Sequence, residues 1–528
     1  MKTGNKKKAV DVLNILIIVI FSYSVIYHFA TIGMDAHHDG YMFKTALDLS
    51  HGKVMYRDTY SQYGILTSYI QAFFILILGE RVLSIRIATV IMYVLTFVIN
   101  YLIWKRYVNR VNAFILNIIA VFMGPYYSVM FYFLPWSSVY SLFFMTLGVY
   151  CYILYVEREK IPFLCLCAAC SICAFLCRQP VGMVLVIAFY LMQFIFMWIG
   201  TDSKKIIVKE CRIYSLILFI IFFIFIIYLI LSGSLTDFWI QNIKYMAKFG
   251  TNQGAMNNSS LIKSLVSCLL GKGWTGEYVW GMLAIINVIH FCVRVLYCKK
   301  KKAVSLEDKC ILMLNMYACA SWHQYFPVPC TRHCYWGAFP MLGIVLYSLI
   351  SLCKKVYQRG DNENAKKIAV VLYVIAMLLF LGINGQVLWN RGSAIIEKSK
   401  IDYEEMENSG YDFLDGLRLS KEQRKFYYPL HKAIKLAVEE TGKEVMNYSQ
   451  HGYFAVFNNE NYHKQYNNWG EEIYSDYEEI AQKYIEDKEP IIIAASGMNI
   501  KDYHVYFTSS GDIGNYVGAR EISLYIHD

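Results

Sequence analysis

Apolar runs long enough to cross a bilayer recur along this chain, separated by short connections rich in lysine and arginine, and that rhythm admits few folds. Crossing about 30 Å of hydrocarbon takes roughly 17 to 25 helical residues. The runs Val12–Ile32, Ile85–Trp104, Val111–Tyr127, Ser137–Val156, Ile161–Cys177, Val181–Ile199, Ile213–Leu231, Val279–Val295, Ile311–Phe326, Cys334–Leu352 and Ile368–Leu388 meet or approach that requirement. They predict an all-α polytopic membrane protein of about eleven transmembrane helices. With 57% hydrophobic against 17% charged residues, a soluble globular class is excluded. The first run lacks a small-residue cleavage site and many equivalent blocks follow it, so it reads as a retained span.

Charge placement orients the bundle. With the N-terminus inside, Lys6–Lys8, Lys105-Arg106 with Arg110, Arg158 with Lys160, Lys204-Lys205 with Lys209 and Arg212, Lys299–Lys302 and Lys354-Lys355 with Arg359 all fall in cytoplasmic connections. The net charge of +10 is thereby accounted for, and nucleic-acid binding is not expected. Counting Ile65–Leu78 as a span would move every later lysine cluster outside, so this short run is read as a helix at the outer interface. Residues 1–390 then form the transmembrane domain, with outer loop one over 33–84 and a large outer loop over 232–278. In the latter, Trp239, Tyr245, Phe249 and Trp274 suit an interfacial position.

Residues 391–528 differ in composition and are predicted to form a small extracytoplasmic α/β domain. Strand-like runs Glu444–Tyr448 and Pro490–Ala495 alternate there with a helix-like Tyr477–Glu486. Tyr462, Tyr466 and Trp469 lie among asparagines, a composition that suits either stacking on sugar rings or packing of the small domain. Cysteines such as Cys165, Cys167, Cys170, Cys173 and Cys177 sit in one apolar helix as small packing residues. Cys330 and Cys334 flank an outer loop, a placement that admits a disulfide without establishing one.

Ionisable groups gather on the outer face: Asp35-Ala-His37-His38-Asp39 and Tyr56-Arg57-Asp58 in loop one, Arg178-Gln179, Trp322-His323-Gln324, and Arg332-His333. Carboxylates facing cations suit transfer of a sugar from a lipid phosphate. One carboxylate removes the proton of an acceptor hydroxyl while Arg and His stabilise charge on the departing phosphate. Arginine fits the second task because its planar fork holds two phosphate oxygens.

At these residues the chain resembles the GT-C class of polytopic glycosyltransferases, in particular bacterial relatives of the protein-mannosyl and aminoarabinose transferases. The resemblance is carried by His37-His38-Asp39-Gly40, Ala46, Leu49, Gly52, Tyr56-Arg57-Asp58 and Gly64, by Arg178-Gln179, and by Pro327, Arg332-His333, Trp336 and Pro340; in topology it covers most of Met1 to Trp389. It implies a polyprenyl-phosphate-linked sugar donor, an outer-face active site and inversion at the anomeric carbon. Asp39 matches the family's catalytic acid, with Asp35 the rival and Asp58 a candidate to orient the acceptor. His37, His38, Arg57, Tyr63, Arg178, Gln179, Arg332 and His333 are the candidate substrate-binding residues. The acceptor it implies is a glycan, lipid or protein.

Tyr126–Trp136 contains no acid, whereas many members of the family place one in the second outer loop. A hard cation collects carboxylate oxygens from more than one segment, so no metal or other cofactor is expected. A polysaccharide polymerase or ligase shares the lipid-linked substrates and stays open as an alternative. A flippase is disfavoured because internal repeats and midplane charges are not evident.

Overall fold

The computed structural model describes residues 2–127, 133–200, 204–245, 247, 266–267, 270, 276–325, 330–359, 363–406, 408–449, 451–458, 477–514 and 520–528. Pro327, Phe249, Trp274, Tyr462, Tyr466 and Trp469 lie outside them, as does most of the 232–278 loop. The chain runs through α1 (Lys2–Ala30), α2 (His38–Ser50), α3 (Ile65–Leu78), α4 (Val82–Trp104), α5 (Arg110–Phe122), α6 (Ser137–Arg158), α7 (Ile161–Cys177), α8 (Gln179–Ile199) and α9 (Lys204–Leu231). A short α10 (Leu235–Phe238) leads into a π-helical turn, Trp239–Lys244. Then come α11 (Val279–Lys301), α12 (Leu306–Ser321), α13 (Thr331–Arg359) and α14 (Glu363–Lys398).

Eight of the described helices are long and apolar enough to cross a membrane: α1, α4, α6, α8, α9, α11, α13 and α14. The chain is a multi-pass membrane protein. The count of eleven is not reached by length: Arg110–Phe122, Ile161–Cys177 and Leu306–Ser321 have 13, 17 and 16 residues, and the first of them ends short of the apolar run Val111–Tyr127. At 1.5 Å per residue a 13-residue helix such as α5 covers only about 20 Å. Helices α4, α6 and α13 form the buried centre, while α1, α9 and α14 present apolar side chains outward, as lipid-facing helices must.

Loop one is not an open loop. His38–Ser50 is a helix with nearly every residue buried, and Ile65–Leu78 is a second helix with the bounds read from the sequence. The polar side of α3 faces inward, where Gln71 Nε2 donates to Pro135 O at 2.8 Å. Phe73, Leu76 and Ile77 point out, an inversion of the soluble pattern that suits a helix lying against hydrocarbon.

The C-terminal region begins beyond Lys398, where α14 ends. A two-stranded ribbon, β1 (Tyr403–Glu405) antiparallel to β2 (Arg418–Ser420), precedes α15 (Lys421–Thr441). A four-stranded sheet follows in the order β3 (Val445–Asn447), β4 (Ile491–Ala495), β6 (Glu521–His527), β5 (Tyr503–Ser510), flanked by α16 (Tyr477–Lys488). Strands β3 and β4 are parallel and the remaining pairs antiparallel. This region is not insulated from the bundle: Leu414, Leu417, Phe426 and Tyr453 belong to the same apolar cluster as Phe43, Val82 and Ile85.

Candidate active site

The first segment after α1 supplies two carboxylates, both wholly buried. Asp35 accepts from the backbone N–H groups of His37 and His38 at 3.0 and 2.8 Å, and its other oxygen meets His38 Nδ1 at 3.0 Å. Burial opposes its charge, but His38, with help from His37, holds the carboxyl down at about 2. Asp39, one turn on, receives Nε of Arg86 at 3.1 Å on one oxygen. Its other oxygen accepts Arg86 Nη2 at 2.6 Å and the Asp35 N–H at 2.9 Å. Burial is the largest influence on Asp39 and pushes its carboxyl up; Arg86 pulls the other way. An ionised carboxylate accepts at about four positions. Each of these two has three filled.

Arg86 was not singled out in the sequence, although a lone arginine at the start of an apolar helix was a signal. It also donates to Ala30 O and Ile32 O at 2.7 and 3.3 Å, tying the end of α1 to α4.

A run of ring contacts leads away from the acids. His37 and His38 stand edge to face at 4.8 Å between centroids, His38 meets Trp136 at 5.2 Å, and Trp136 meets Tyr63 at 5.1 Å. The Arg178 guanidinium lies 5.7 Å from the Tyr63 centroid and donates to Ser138 Oγ at 2.6 Å. Arg178 occupies the sharp turn between α7 and α8. The turn closes because Gly182 has no Cβ, which would fall 2.3 Å from the Phe175 backbone.

Arg332 and Cys330 act electrostatically on Arg178, so the cations of α7–α8 and α13 share one neighbourhood. The buried Cys330 thiol reports the local field: burial opposes ionisation, yet His333 and Arg332 pull it down to about 6. Cys330 and Cys334 are both free thiols, so the disulfide admitted by the sequence is not formed. His323, also within the field of Arg178, is held at about 4 by burial. Its Nδ1 donates to Ala320 O at 2.8 Å. Among the described residues the buried atoms Trp136 Nε1, Ser137 Oγ, His323 Nε2 and both polar atoms of the Gln324 amide have no hydrogen-bond partner. Three helices, α6, α8 and α13, begin here, so their positive ends add to the cationic field.

Not every candidate joins this cluster. Gln179 donates to Asn242 Oδ1, and Asn242 and Gln241 hold Ser61 and Tyr56 of loop one, so Gln179 serves to pin the π-helical turn onto that loop. Asp58 accepts both Arg57 Nε and Nη2 at 2.8 Å, and Arg57 Nη1 reaches Ser232 O. Asp58 instead lines a cavity of about 480 Å³ together with Lys44, Asp48, His51, Lys53 and Glu80. Among the described residues no three His, Cys, Asp or Glu side chains gather as a metal site.

Residues 62–247 match the family described as dolichyl-phosphate-mannose-protein mannosyltransferase, a segment that contains Arg86, Trp136 and Arg178 but neither Asp35, Asp39 nor Arg332. Over its whole length the chain superposes on ArnT from Cupriavidus metallidurans, with TM-score 0.54 and 9% identity for the apo state, covering 97% of each chain. The chain has the fold of ArnT. ArnT bound to undecaprenyl phosphate gives TM-score 0.53 at 10% identity, again over 97% of each chain. A looser similarity is to the apo oligosaccharyltransferase of Archaeoglobus fulgidus, at TM-score 0.47 and 12% identity. That match covers 73% of this chain and 56% of the archaeal one, so the chain spans about half the length of that protein. No curated protein sequence matches the chain.

Proposed function

We propose that this protein is a membrane glycosyltransferase of the GT-C class that moves a sugar from a polyprenyl-phosphate-linked donor to an acceptor hydroxyl on the extracytoplasmic face. The observation that carries this reading is the continuous path from the Asp35 and Asp39 carboxylates through His38, Trp136 and Tyr63 to Arg178, with Arg332 and His333 beside it. It sets a proton acceptor at one end of a line of aromatic faces and an anion clamp at the other.

Asp39 takes the acceptor proton on its remaining lone-pair position, and Arg86 keeps it ionised against its burial. Asp35, bonded to His38, is the rival base. Arg178, Arg332 and His333 hold the donor phosphate and stabilise the charge left as the glycosidic C–O bond breaks. Attack by the hydroxyl from the opposite side inverts the anomeric carbon. The rings of Trp136 and Tyr63 lie between the two ends and suit a sugar face, while the buried donors of Trp136, Ser137 and Gln324 suit its hydroxyls. The reaction is read as metal-independent, because histidine, arginine and backbone N–H groups already fill most acceptor positions of the two carboxylates. The lysine clusters orient the N-terminus to the cytoplasm and the C-terminal domain to the outside.

Incubating the purified protein with radiolabelled polyprenyl-phosphate sugars tests the reading. Label should pass to acceptor or water with wild type, and fall by about 10²–10⁴ in Asp39→Asn with donor binding retained. Equal rates in wild type, Asp39→Asn and Asp35→Asn would remove the loop-one mechanism.

A further inference from the structure

The backbone that carries the two acids is held from the C-terminal region. Gly33 N–H donates to Arg418 O at 2.8 Å, and Arg418 N–H donates to Thr31 O at 2.7 Å, forming an isolated parallel bridge. Ala36 N–H donates to Ile513 O at 3.2 Å, and Tyr453 N–H donates to Ala36 O at 3.0 Å. Between these lies Met34, whose N–H is accepted by Gln423 Oε1 at 3.3 Å and whose carbonyl accepts Gln423 Nε2 at 2.8 Å. Asp35 therefore sits between two residues, Met34 and Ala36, that each have both backbone groups bonded to the C-terminal region. Gly40 extends the contact: a Cβ there would fall 2.0 Å from Tyr453 N.

Gln423 is unusual in what it declines to do. It occupies the third position of α15, whose N-cap Ser420 accepts the Gln423 N–H at 3.2 Å. In a Ser-x-x-Gln start the glutamine side chain ordinarily returns to the N-cap backbone, completing a capping box. Here it turns to Met34, 389 positions away in sequence, and is wholly buried. A carboxamide is needed to give one hydrogen bond and take one at the same peptide group; glutamate lacks the donor and asparagine is one methylene short.

We infer that the C-terminal region is a positioning element of the active site and that Gln423 is its positioning residue, fixing the Met34–Asp39 backbone so that the two acids keep their geometry. The inference rests on the transferase reading for its kinetic consequence. Its structural half stands alone. A displacement of about 1 Å at a reacting group costs on the order of 10²-fold in rate. Losing the Gln423 clamp should therefore lower kcat about 10–100-fold without touching the distant phosphate clamp.

The test uses full-length wild type, Gln423→Met and Gln423→Glu in lipid nanodiscs. Hydrogen exchange of peptides covering residues 31–41 should quicken at least about tenfold in both variants, while α15 stays protected. Transfer should show reduced kcat at unchanged donor KM, with binding of undecaprenyl phosphate unaltered. Unchanged exchange over 31–41 would overturn the clamp. Quickened exchange with wild-type kcat would overturn its role in positioning. A wild-type protein with no transfer at all would instead refute the transferase reading, and the exchange arm would still decide the clamp.

Discussion

Replacing Arg86 with methionine separates the two influences on Asp39. Methionine roughly fills the space of the arginine stem but brings no charge, so the carboxyl keeps its burial and loses its counter-ion. Taking charge centres about 4 Å apart and an effective dielectric near 20, the lost attraction is about 4 kcal/mol, equivalent to about three pH units. The direction follows from the mechanism. A base works only when deprotonated, so raising its pKa moves the acid limb of the rate profile to higher pH. At pH 7 the variant should be severely slowed, and activity should return as pH rises, by an upward displacement of about two to three units. Arg86→Lys keeps the charge and loses the two-pronged bond, so its profile should be lowered without being displaced. Single-turnover transfer with saturating donor, measured from about pH 6 to pH 10, reads this directly. Breaking a buried pair from one side also destabilises by about 3–5 kcal/mol. Each variant is therefore first checked for a monodisperse, folded peak, with Asp39→Asn/Arg86→Met as the uncharged reference. A uniform loss of rate with the wild-type acid limb retained would refute the idea that Arg86 keeps Asp39 ionised.

Three further outcomes are expected. Gly40→Ala gains helix propensity of up to about 1 kcal/mol, yet forces a methyl into the Tyr453 backbone, so its melting temperature in detergent should fall; Gly385→Ala, with nothing within 4 Å, should not fall. His431, buried between Ser409 Oγ at 2.8 Å and Tyr453 Oη at 2.9 Å, is pushed by burial down to about 3 and is neutral in the fold. In the unfolded chain it binds a proton below its ordinary 6.5, so stability falls as pH drops from 6.5 toward 3, and His431→Gln should flatten that slope by up to about 1.4 kcal/mol per pH unit in urea melts. Treatment with EDTA followed by desalting should leave transfer unchanged; loss restored by added Mg²⁺ or Mn²⁺ would refute the metal-independent reading.

What was legible in the sequence was what local pattern decides. Helix Ile65–Leu78 was readable to the residue because Gly64 and Gly79 bracket a continuous apolar run. Strand β4 and helix α16 followed from a β-branched run and a helical period. The number of crossings was not, since an apolar run does not say how long its helix is: eight of the described helices are long and apolar enough to cross, and α5, α7 and α12 are shorter. Loop one misled for the opposite reason. Its His, Asp, Lys and Thr residues have the composition of a solvated segment, but the groups that satisfy them stand on α4 and in the C-terminal region, at separations no local pattern carries.

The burial of loop one has a consequence for how the acids are read. A buried carboxylate without a cation tends to neutralise, and a neutral acid at this position is no base. Two acids four residues apart, sealed from water, therefore demand two separate sources of compensation. The chain supplies them differently, His38 and backbone N–H groups for Asp35 and the Arg86 fork for Asp39. The difference separates their responses to mutation. Arg86→Met acts through Asp39 and should displace the rate profile, whereas His38→Gln acts through Asp35 and should displace it only if Asp35 is the base. Comparing the two profiles thus assigns the base without altering either carboxylate: displacement by Arg86→Met alone gives Asp39, and displacement by His38→Gln alone gives Asp35.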